Sequence, residues 1–399
     1  MITLNAIKIK NFRSFYTEQT LTLSSSKKSN VTAIFGPNSG GKSNTAKALS
    51  YIGNYITNSS DANFIPPYDP FLLRDTSESE PTCFTLFFEH RKRHYEYGFC
   101  YTHTQVTSEY LKERTTKTGK SKLIFSRDSE GELNDAAHRN GFGKTILKAT
   151  RKETLLITKA RENNNEYSNI VFDLLNSLGI FLGDVPDQTN IFIELLKQNS
   201  SLRERAVELL KECDLSIRGF EFEDVAIPSD VIAALPLPDD VKQTFSTGTI
   251  TKTIHAVRNA ENDIVGKREF DFWNQESMGT RKFLDLIVPI IDALDTGKTI
   301  YIDEFGAYIH PNLANAIIRL FKSDRNTNGA KLVINTHNIS LMSDAGLSRE
   351  EIIFIEKTLA EESVIRSLSD MSVRKDEAIE KRYRSGLYGG VPMLWSEDA

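Results

Sequence analysis

A glycine-rich segment near the N-terminus has the residue types and the spacing that phosphate binding requires. It runs from Gly36 to Ser43 as Gly-Pro-Asn-Ser-Gly-Gly-Lys-Ser, which fits G-x-x-x-x-G-K-[ST] without a mismatch. The apolar run Val31–Phe35 precedes it, and apolar residues at helical spacing follow it: Ala46, Leu49, Ile52 and Ile56. Glycines let backbone N–H groups surround an anion, and a helix N-terminus adds partial positive charge. The segment therefore predicts a phosphate-binding loop between a strand and a helix.

The same spacing assigns a part to individual residues of the loop. Lys42 can reach the β- and γ-phosphates of a nucleotide, and the hydroxyl of Ser43 can ligate magnesium. We expect contacts with the nucleotide from the whole loop and the residue after it: Gly36, Pro37, Asn38, Ser39, Gly40, Gly41, Lys42, Ser43 and Asn44. A second candidate, Gly141–Thr145, fails because His138 stands where the first glycine belongs and no apolar strand precedes it.

Two acidic residues end an apolar strand in the C-terminal half of the chain. The strand Thr299–Ile302 is followed by Asp303, which can hold the magnesium, and by Glu304, which can polarise the attacking water. Acids also occur in helix caps and turns after strands, so the pair alone is a weak signal. Together with the glycine-rich loop it predicts hydrolysis of a nucleotide.

Two further segments could contact the terminal phosphate. His337 follows the strand residues 332–334, and its imidazole could hydrogen-bond the γ-phosphate or merely satisfy the strand end. Ser277 and Gly279 stand at the start of an amphipathic helix, where free N–H groups can meet an anion. Because one phosphate loop is already present, the second anion site is explained most simply as completing the site of another protomer.

Strands alternate with helices on both sides of a long interruption, which predicts an α/β fold around a mostly parallel sheet. Apolar runs mark strands at residues 31–35, 299–302, 332–335 and 352–355. Alternating aromatic residues at 84–88 and 95–101 predict a hairpin in a small antiparallel sheet. Residues 145–218 look mostly helical, and the polar, proline-containing residues 228–262 look like a loop or flexible hairpin.

Composition and charge restrict the partners. Lys and Arg number 49 against 54 Asp and Glu, a net charge of −5, which excludes a basic surface devoted to nucleic acid. Residues 112–122 carry five basic residues and one acid, so they could touch DNA or form a solvated hairpin loop. No apolar run approaches a membrane span, and no signal peptide is visible. Three cysteines without metal-ligand spacing cannot make a disulfide framework, and they point to the cytoplasm.

In this order, the motifs resemble those of ABC-type ATPases of the SMC/RecF/OLD kind. Residues 36–43 look like Walker A, Glu276–Thr280 like a divergent signature, residues 300–304 like Walker B, and residues 335–338 like the switch-histidine loop. More closely, the chain is similar to AAA-type ATPases of bacterial abortive-infection and anti-phage loci. This similarity includes four further segments: Asn11–Phe15, Pro70–Phe71, the hairpin at 84–101 and the ending from Lys381 to Pro392.

The resemblance implies a split P-loop NTPase fold with an antiparallel β subdomain and an inserted helical lobe. Its expected parts are residues 1–140 (first half of the head), 141–262 (lobe and flexible loop) and 263–399 (second half). It implies ATP and magnesium as cofactors, with Lys42, Glu304 and His337 as catalytic residues and Ser43 and Asp303 as metal ligands. It also implies a homodimer or higher oligomer in which two subunits close over two nucleotides.

Residue by residue, the resemblance places Ser277 and Gly279 of one subunit at the nucleotide of the other, with Arg13 also near the nucleotide. Two positions depart from the family pattern. Glu276 replaces the leucine of the usual signature, and no glutamine lies between Lys42 and Tyr101 to form a Q-loop. How occupancy of the γ-phosphate site reaches the lobe is therefore left open.

Three functions remain in competition. The first is an ATP-hydrolysing sensor of anti-phage defence, which controls a separate effector nuclease or toxin in response to a phage protein or DNA. The second is a DNA-repair ATPase of the SMC/RecF kind. The third, an OLD-type nuclease, is disfavoured because only 62 residues follow His337, too few for a further domain of typical size.

Overall fold

The computed structural model describes most of the chain and divides it into two compact units. The residues that the structure describes are 2–23, 30–116, 119–182, 189–212, 216–228, 230, 232, 247–307, 309–371 and 379–389. The first unit comprises Met1–Val185, Ala293–Ala307 and Ala314–Ala399, and the second comprises Pro186–Asp292 and Tyr308–Leu313. Cys213, Lys117 and the end of the final motif, from Gly390, lie outside the described residues.

The strands of the first unit form two six-stranded sheets. They are β1 (Ile2–Lys10), β2 (Gln19–Thr22), β3 (Val31–Phe35), β4 (Thr82–His90), β5 (Arg93–Tyr101), β6 (Val106–Arg114), β7 (Lys122–Arg127) and β8 (Leu178–Phe181). From the C-terminal half come β12 (Thr299–Ile302), β13 (Lys331–Asn335), β14 (Ile352–Lys357) and β15 (Ser363–Ser367).

One sheet is parallel except at one edge, with the strand order β15-β14-β3-β13-β12-β8. The strand that precedes the glycine-rich loop, β3, lies between β13 and β14, and β15 is antiparallel to β14. All five residues of β3 are buried, as expected of a strand inside a parallel sheet. The predicted α/β fold is confirmed, and its central sheet joins strands from both ends of the chain.

The other sheet is antiparallel, with the order β2-β1-β4-β5-β6-β7, and includes the predicted aromatic hairpin. Its strands alternate between buried and less buried residues, so one face is apolar. That face shares one hydrophobic core with the helix after the glycine-rich loop and with Tyr301, Val333 and Ile355 of the parallel sheet. The core thus fixes the loop between two sheets.

Helices of the first unit are α1 (Lys42–Asn58), α2 (Asp135–Arg139), α3 (Lys144–Lys148), α4 (Leu156–Arg161), α5 (Glu166–Asn176), and, further along the chain, Leu341–Asp344 and Ile379–Arg384. A fully buried carboxylate, Glu109, accepts hydrogen bonds from the first N–H groups of α4 and pairs with Arg127 at 2.9 Å. This contact ties the antiparallel sheet to the helices because it satisfies orphan donors of a helix N-terminus.

The second unit contains two helices, α6 (Thr189–Gln198) and α7 (Ser200–Glu212). It also contains an antiparallel sheet of three strands: β9 (Ile217–Ala226), β10 (Thr247–Arg258) and β11 (Ile264–Asp271). This unit also includes α8 (Met278–Thr296) as far as Asp292 and α9 (Pro311–Lys322) as far as Leu313. Residues 228–262 were predicted as a loop or flexible hairpin, and in their described part residues 247–258 form the central strand, which pairs antiparallel with β9 and β11. Buried threonines at 251 and 253 conceal this strand in the sequence, since their polarity hides an alternating pattern.

One disulfide joins Cys83 and Cys100, which the cysteine count did not predict. The two residues face each other in the ladder between β4 and β5, so strand pairing brings their side chains together. The prediction of a reducing compartment therefore loses the support that it drew from the cysteines. No helix among the described residues is long and apolar enough to span a membrane.

Candidate nucleotide-binding site

The glycine-rich loop closes tightly on its neighbours in the first unit. Gly41 precedes α1 with φ of 105°, a left-handed conformation that favours glycine, and a side chain there would overlap the hydroxyl of Ser363. A Cβ at Gly36 would overlap the carbonyl oxygen of Ile355 in β14. The hydroxyl of Ser363 donates to the carbonyl of Gly40 at 2.7 Å. The glycines are therefore required by close packing as well as by the anion that the loop is predicted to bind.

Lys42 is the first residue of α1, and its side chain folds over the loop. Its ammonium group donates to the carbonyl oxygens of Gly36 at 2.9 Å and Pro37 at 2.8 Å. Burial lowers the pKa of Lys42 to about 8, against the opposing effect of the nearby Asp303 and Glu304 carboxylates. The cation thus lies in the loop and close to both predicted acids.

The two predicted metal ligands lie together. The Ser43 hydroxyl donates to Oδ1 of Asp303 at 3.2 Å, and Asp303 is 8% exposed at the end of β12. A hydroxyl and a carboxylate beside a phosphate site are the hard oxygen donors that Mg²⁺ prefers, with water and phosphate oxygens completing its shell. The residues present therefore fit a magnesium ion held by Ser43 and Asp303.

Glu304 follows Asp303 with φ of 54°, and its side chain is exposed. The two neighbouring residues are held by backbone hydrogen bonds, since Asp303 N–H donates to the carbonyl of Phe181 at 2.8 Å and Phe305 N–H donates to the carbonyl of Asn335 at 2.8 Å. A left-handed conformation costs free energy in a residue other than glycine and persists only where neighbours impose it. The backbone therefore presents the Glu304 carboxylate at the surface of the site.

His337 lies two residues beyond β13 and is close enough to Lys42, Glu304 and Asp303 for their charges to affect it. Partial burial and the Lys42 charge lower the pKa of His337, and the two carboxylates oppose the effect. A lowered pKa keeps the imidazole neutral at physiological pH, so one ring nitrogen can donate and the other accept. The structure thus brings together the five predicted residues of the hydrolytic site: Lys42, Ser43, Asp303, Glu304 and His337.

Comparison with known proteins identifies the family. The sequence model of the family described as "AAA domain, putative AbiEii toxin, Type IV TA system" matches residues 31–343, or 313 of 399 residues. The chain belongs to this AAA-domain family. The match extends from β3 past His337, and so it includes the five residues predicted for a hydrolytic site.

Solved structures similar to this AAA-domain chain include two SMC heads. The SMC head domain from Thermotoga maritima is 15% identical, with a TM-score of 0.40, and 91% of this chain and 98% of that chain are covered. The Smc head domain from Pyrococcus furiosus, with an extended coiled coil and bound to the C-terminal domain of ScpA, is 13% identical. Its TM-score is 0.42, and the coverage is 93% and 98%. A search of curated proteins gives no match.

The signature-like residues of this AAA-domain protein belong to the second unit. Ser277 precedes α8, and its hydroxyl accepts the backbone N–H of Thr280 at 3.1 Å, a helix-capping contact. Glu276 is partly buried, and its carboxylate accepts hydrogen bonds from Thr253 and from Nε2 of His255, the latter at 2.7 Å. Gly279 lies in the first turn of the helix. The predicted role of Ser277 and Gly279 at a nucleotide stays a prediction.

Arg13 is engaged elsewhere within the first unit. Its guanidinium forms an ion pair with Asp69 at 2.7 Å and lies 5.8 Å from the ring centres of Phe12 and Tyr51. The neighbouring residue reaches the loop instead, because the amide of Asn44 donates to the hydroxyl of Ser14 at 2.8 Å. The contact of Arg13 with a nucleotide stays a prediction.

Sequence reasoning missed four polar residues that complete the AAA-domain site. Ser14, in the Asn11–Phe15 segment, accepts from Asn44 just after the loop, and Ser363, in β15, donates to Gly40 within it. Tyr301 and Asn335 lie buried beneath it, inside apolar strands. The last two carried a visible signal, since each is a hydrogen-bonding side chain in a strand that is otherwise apolar.

Proposed function

We propose that this AAA-domain protein hydrolyses ATP with magnesium. The observation that carries the proposal is the contact of Ser43 with Asp303, which joins the end of the phosphate loop to the end of β12. In the proposed reaction Lys42 binds the terminal phosphates, Glu304 polarises the attacking water, and His337 contacts the γ-phosphate. Bound magnesium would neutralise charge that develops on the phosphate oxygens. The protein's contribution is positioning and charge neutralisation.

The test is the substitution Glu304→Gln, which keeps the size of the side chain and removes its charge. We expect ATP binding to persist and turnover to fall by roughly 100-fold or more, the usual effect of losing a group that activates water. Glu361→Gln is the matched control, since Glu361 is also exposed and has a positive φ of 63°. Steady-state phosphate release and equilibrium ATP binding should be measured on all three proteins. Unchanged turnover in Glu304→Gln would contradict the assigned role.

The proposed biological role is a sensor of anti-phage defence. Support comes from the family description, which names a toxin of a type IV toxin–antitoxin system. In this proposal ATP closes two subunits over two nucleotides, with Ser277 and Gly279 of one subunit at the phosphates held by Lys42 of the other. Hydrolysis reopens the pair and so controls a separately encoded effector nuclease or toxin.

The defence role is tested in cells that carry the gene with its neighbouring genes. Phage plating should fall when the wild-type locus is present and recover in the Glu304→Gln locus, with Glu361→Gln behaving as wild type. Equal plating on cells with and without the wild-type locus, across a diverse phage set, would contradict this role while leaving the ATPase proposal intact.

DNA repair is the alternative function, and its basic segment gives it little support. Lys112 pairs with Glu96 at 3.0 Å and Arg114 pairs with the same carboxylate at 3.4 Å, so part of the positive charge is neutralised. Lys120 and Lys122 are exposed. If DNA is bound there, its affinity should fall with salt and with the double substitution of Lys120 and Lys122 to Gln. Salt-insensitive or absent binding would favour a protein trigger.

A further inference from the structure

A buried side-chain amide lies at the centre of the hydrolytic site. Asn335 is the last residue of β13 and is 1% exposed. Its Nδ2 donates to Oδ1 of Asp303 at 2.8 Å and to the backbone carbonyl of Lys42 at 2.9 Å, while its Oδ1 accepts from the hydroxyl of Tyr301 at 2.9 Å. One side chain thus connects the end of β12 to the first residue of α1.

The chemistry of the position calls for an amide. The Asp303 carboxylate and the Lys42 carbonyl are acceptors, so each needs an N–H donor, and the Tyr301 hydroxyl needs an acceptor. An Asn side chain supplies two N–H groups and one carbonyl oxygen, and so it meets all three needs. A carboxylate at position 335 would oppose Asp303 in a buried site, and an alkyl side chain would leave both acceptors without this donor. The orientation of the amide is therefore fixed by its neighbours.

The hydroxyl of Tyr301 restrains the orientation of this amide, because it donates to Oδ1 of Asn335. Tyr301 is buried in β12, and its hydroxyl also lies 2.6 Å from the Thr45 hydroxyl in α1. The Thr45 hydroxyl also lies 2.5 Å from the carbonyl oxygen of Lys42, and its single proton is shared between this carbonyl and Tyr301. The network therefore returns to the phosphate loop by a second route.

The backbone of the same segment holds the neighbouring acid. Asn335 C=O accepts from Phe305 N–H at 2.8 Å, and the Thr336 hydroxyl donates to the carbonyl of Phe305 at 2.8 Å. These bonds lie directly after Glu304, and His337 follows Thr336 in sequence. The end of β13 thus contacts Asp303 and the residue that follows Glu304, and it leads into the residue that is predicted to contact the γ-phosphate.

We infer that Asn335 is a positioning residue that orients the Asp303 carboxylate toward magnesium and couples it to the phosphate loop. The inference rests on the proposed ATPase function and deepens it by naming what aligns its metal ligand. The Asn335 amide and the Ser43 hydroxyl both donate to the same oxygen of Asp303, Oδ1. Fixing one oxygen prevents rotation of the carboxylate, and residues that orient a metal ligand commonly change metal affinity by about 10- to 100-fold when removed.

The test compares Asn335→Ala with Asn326→Ala, a matched control. The Asn326 amide is also buried, donates to two carbonyls (Phe321 and Ala330, each at 2.8 Å) and accepts one N–H, but in a turn away from the acids. Binding of a fluorescent, non-hydrolysable ATP analogue should be titrated with magnesium and repeated in EDTA. Thermal unfolding of each variant reports the loss of stability.

For Asn335→Ala we expect the magnesium concentration for half-maximal binding to rise about 10-fold, with binding in EDTA changed less than threefold. Tyr301→Phe should raise the same magnesium concentration about threefold, because the Asn335 amide keeps both N–H donors and loses only the hydrogen bond from Tyr301. Asn326→Ala should lower the melting temperature without shifting the magnesium dependence.

An unshifted magnesium dependence in Asn335→Ala, or an equal shift in Asn326→Ala, would overturn the inference and leave the ATPase proposal standing. Wild-type protein that binds no analogue with or without magnesium would overturn both. If Asn335→Ala does not fold, Tyr301→Phe decides, since a shift supports the inference and no shift overturns it.

Discussion

The phosphate loop and the signature-like loop are built in different ways. Around the phosphate loop, buried side chains form hydrogen bonds between residues far apart in sequence, such as Asn335 with Lys42 and Ser363 with Gly40. At the signature-like loop the Ser277 side chain is exposed, and its hydroxyl contacts Thr280 in its own helix turn. The partly buried Glu276 carboxylate, which Thr253 and His255 hold, restrains that loop.

The fold itself holds the phosphate loop in place, whereas the signature-like loop presents an exposed surface. Long-range buried hydrogen bonds fix the phosphate loop before any nucleotide arrives, which lowers the cost of binding. At the start of α8 the exposed Ser277 caps the N–H of Thr280, and binding of an anion there is a prediction. Experiments that act on one loop and spare the other can therefore test the comparison.

The largest effects should come from Lys42→Ala and Ser277→Arg. We expect Lys42→Ala to weaken ATP binding about 100-fold, since a charge-assisted contact with phosphate contributes about 3 kcal/mol. Ser277→Arg should keep ATP binding and lose turnover about as completely as Glu304→Gln, because a bulky side chain would block the N–H groups of α8. Equilibrium binding and phosphate release distinguish the two outcomes.

A mixture of these two inactive variants gives a sharper result. If Ser277 acts on the nucleotide of another subunit, a mixed dimer has one intact site, formed by Lys42 from one chain and Ser277 from the other. Turnover should then reappear on mixing, up to roughly a quarter of the wild-type rate by random pairing of subunits. A mixture that stays inactive, although native mass spectrometry detects mixed dimers, would place Ser277 on its own chain's site or on none.

The next effect is a pH dependence at the phosphate loop. Lys42 has a pKa lowered to about 8 in the free protein, and bound phosphate favours its charged form, so the pKa of Lys42 rises on binding. ATP affinity should therefore be constant below pH 8 and fall as the pH rises above it, by up to about tenfold per pH unit. Lys42→Arg is the control, since arginine stays charged in this range. A flat wild-type affinity from pH 7 to 9.5 would contradict the assignment.

The smallest effect should follow the loss of the contact that restrains the signature-like loop. Glu276→Ala removes the acceptor of the Thr253 and His255 hydrogen bonds, and we expect turnover to fall about fivefold, or about 1 kcal/mol, with ATP binding unchanged. Glu276→Gln keeps an acceptor oxygen and should stay within twofold of wild type. Equal turnover in the Ala variant and in wild type would show that this restraint does not affect the reaction.

Much of the phosphate-loop site could be predicted because its signals are local. The run 31–35, the glycine spacing and the apolar strand before Asp303 each lie in one short stretch, and the structure places them as expected. The aromatic hairpin was predicted for the same reason. Periodicity over a few residues reports burial, and burial defines these elements.

The rest depended on contacts that no local pattern contains. The strand β8 has four half-buried residues in a helical stretch, and only its pairing with β12 identifies it. The partners of Asn335 lie 293 and 32 residues away in sequence. The pairing of Cys83 with Cys100 required the register of two strands. Such features follow from tertiary packing, which single-sequence patterns do not report.

The place of β3 in its sheet has a consequence for synthesis of the chain. Both neighbours of β3 come from the far end of the sequence, since Val31 pairs with Leu332 and Ala33 pairs with Ile352. During translation the strand before the phosphate loop must wait for some 300 residues before it can be paired. A nascent or truncated chain therefore cannot hold the loop in its native setting. We therefore expect nucleotide binding only from chains that include β13 and β14.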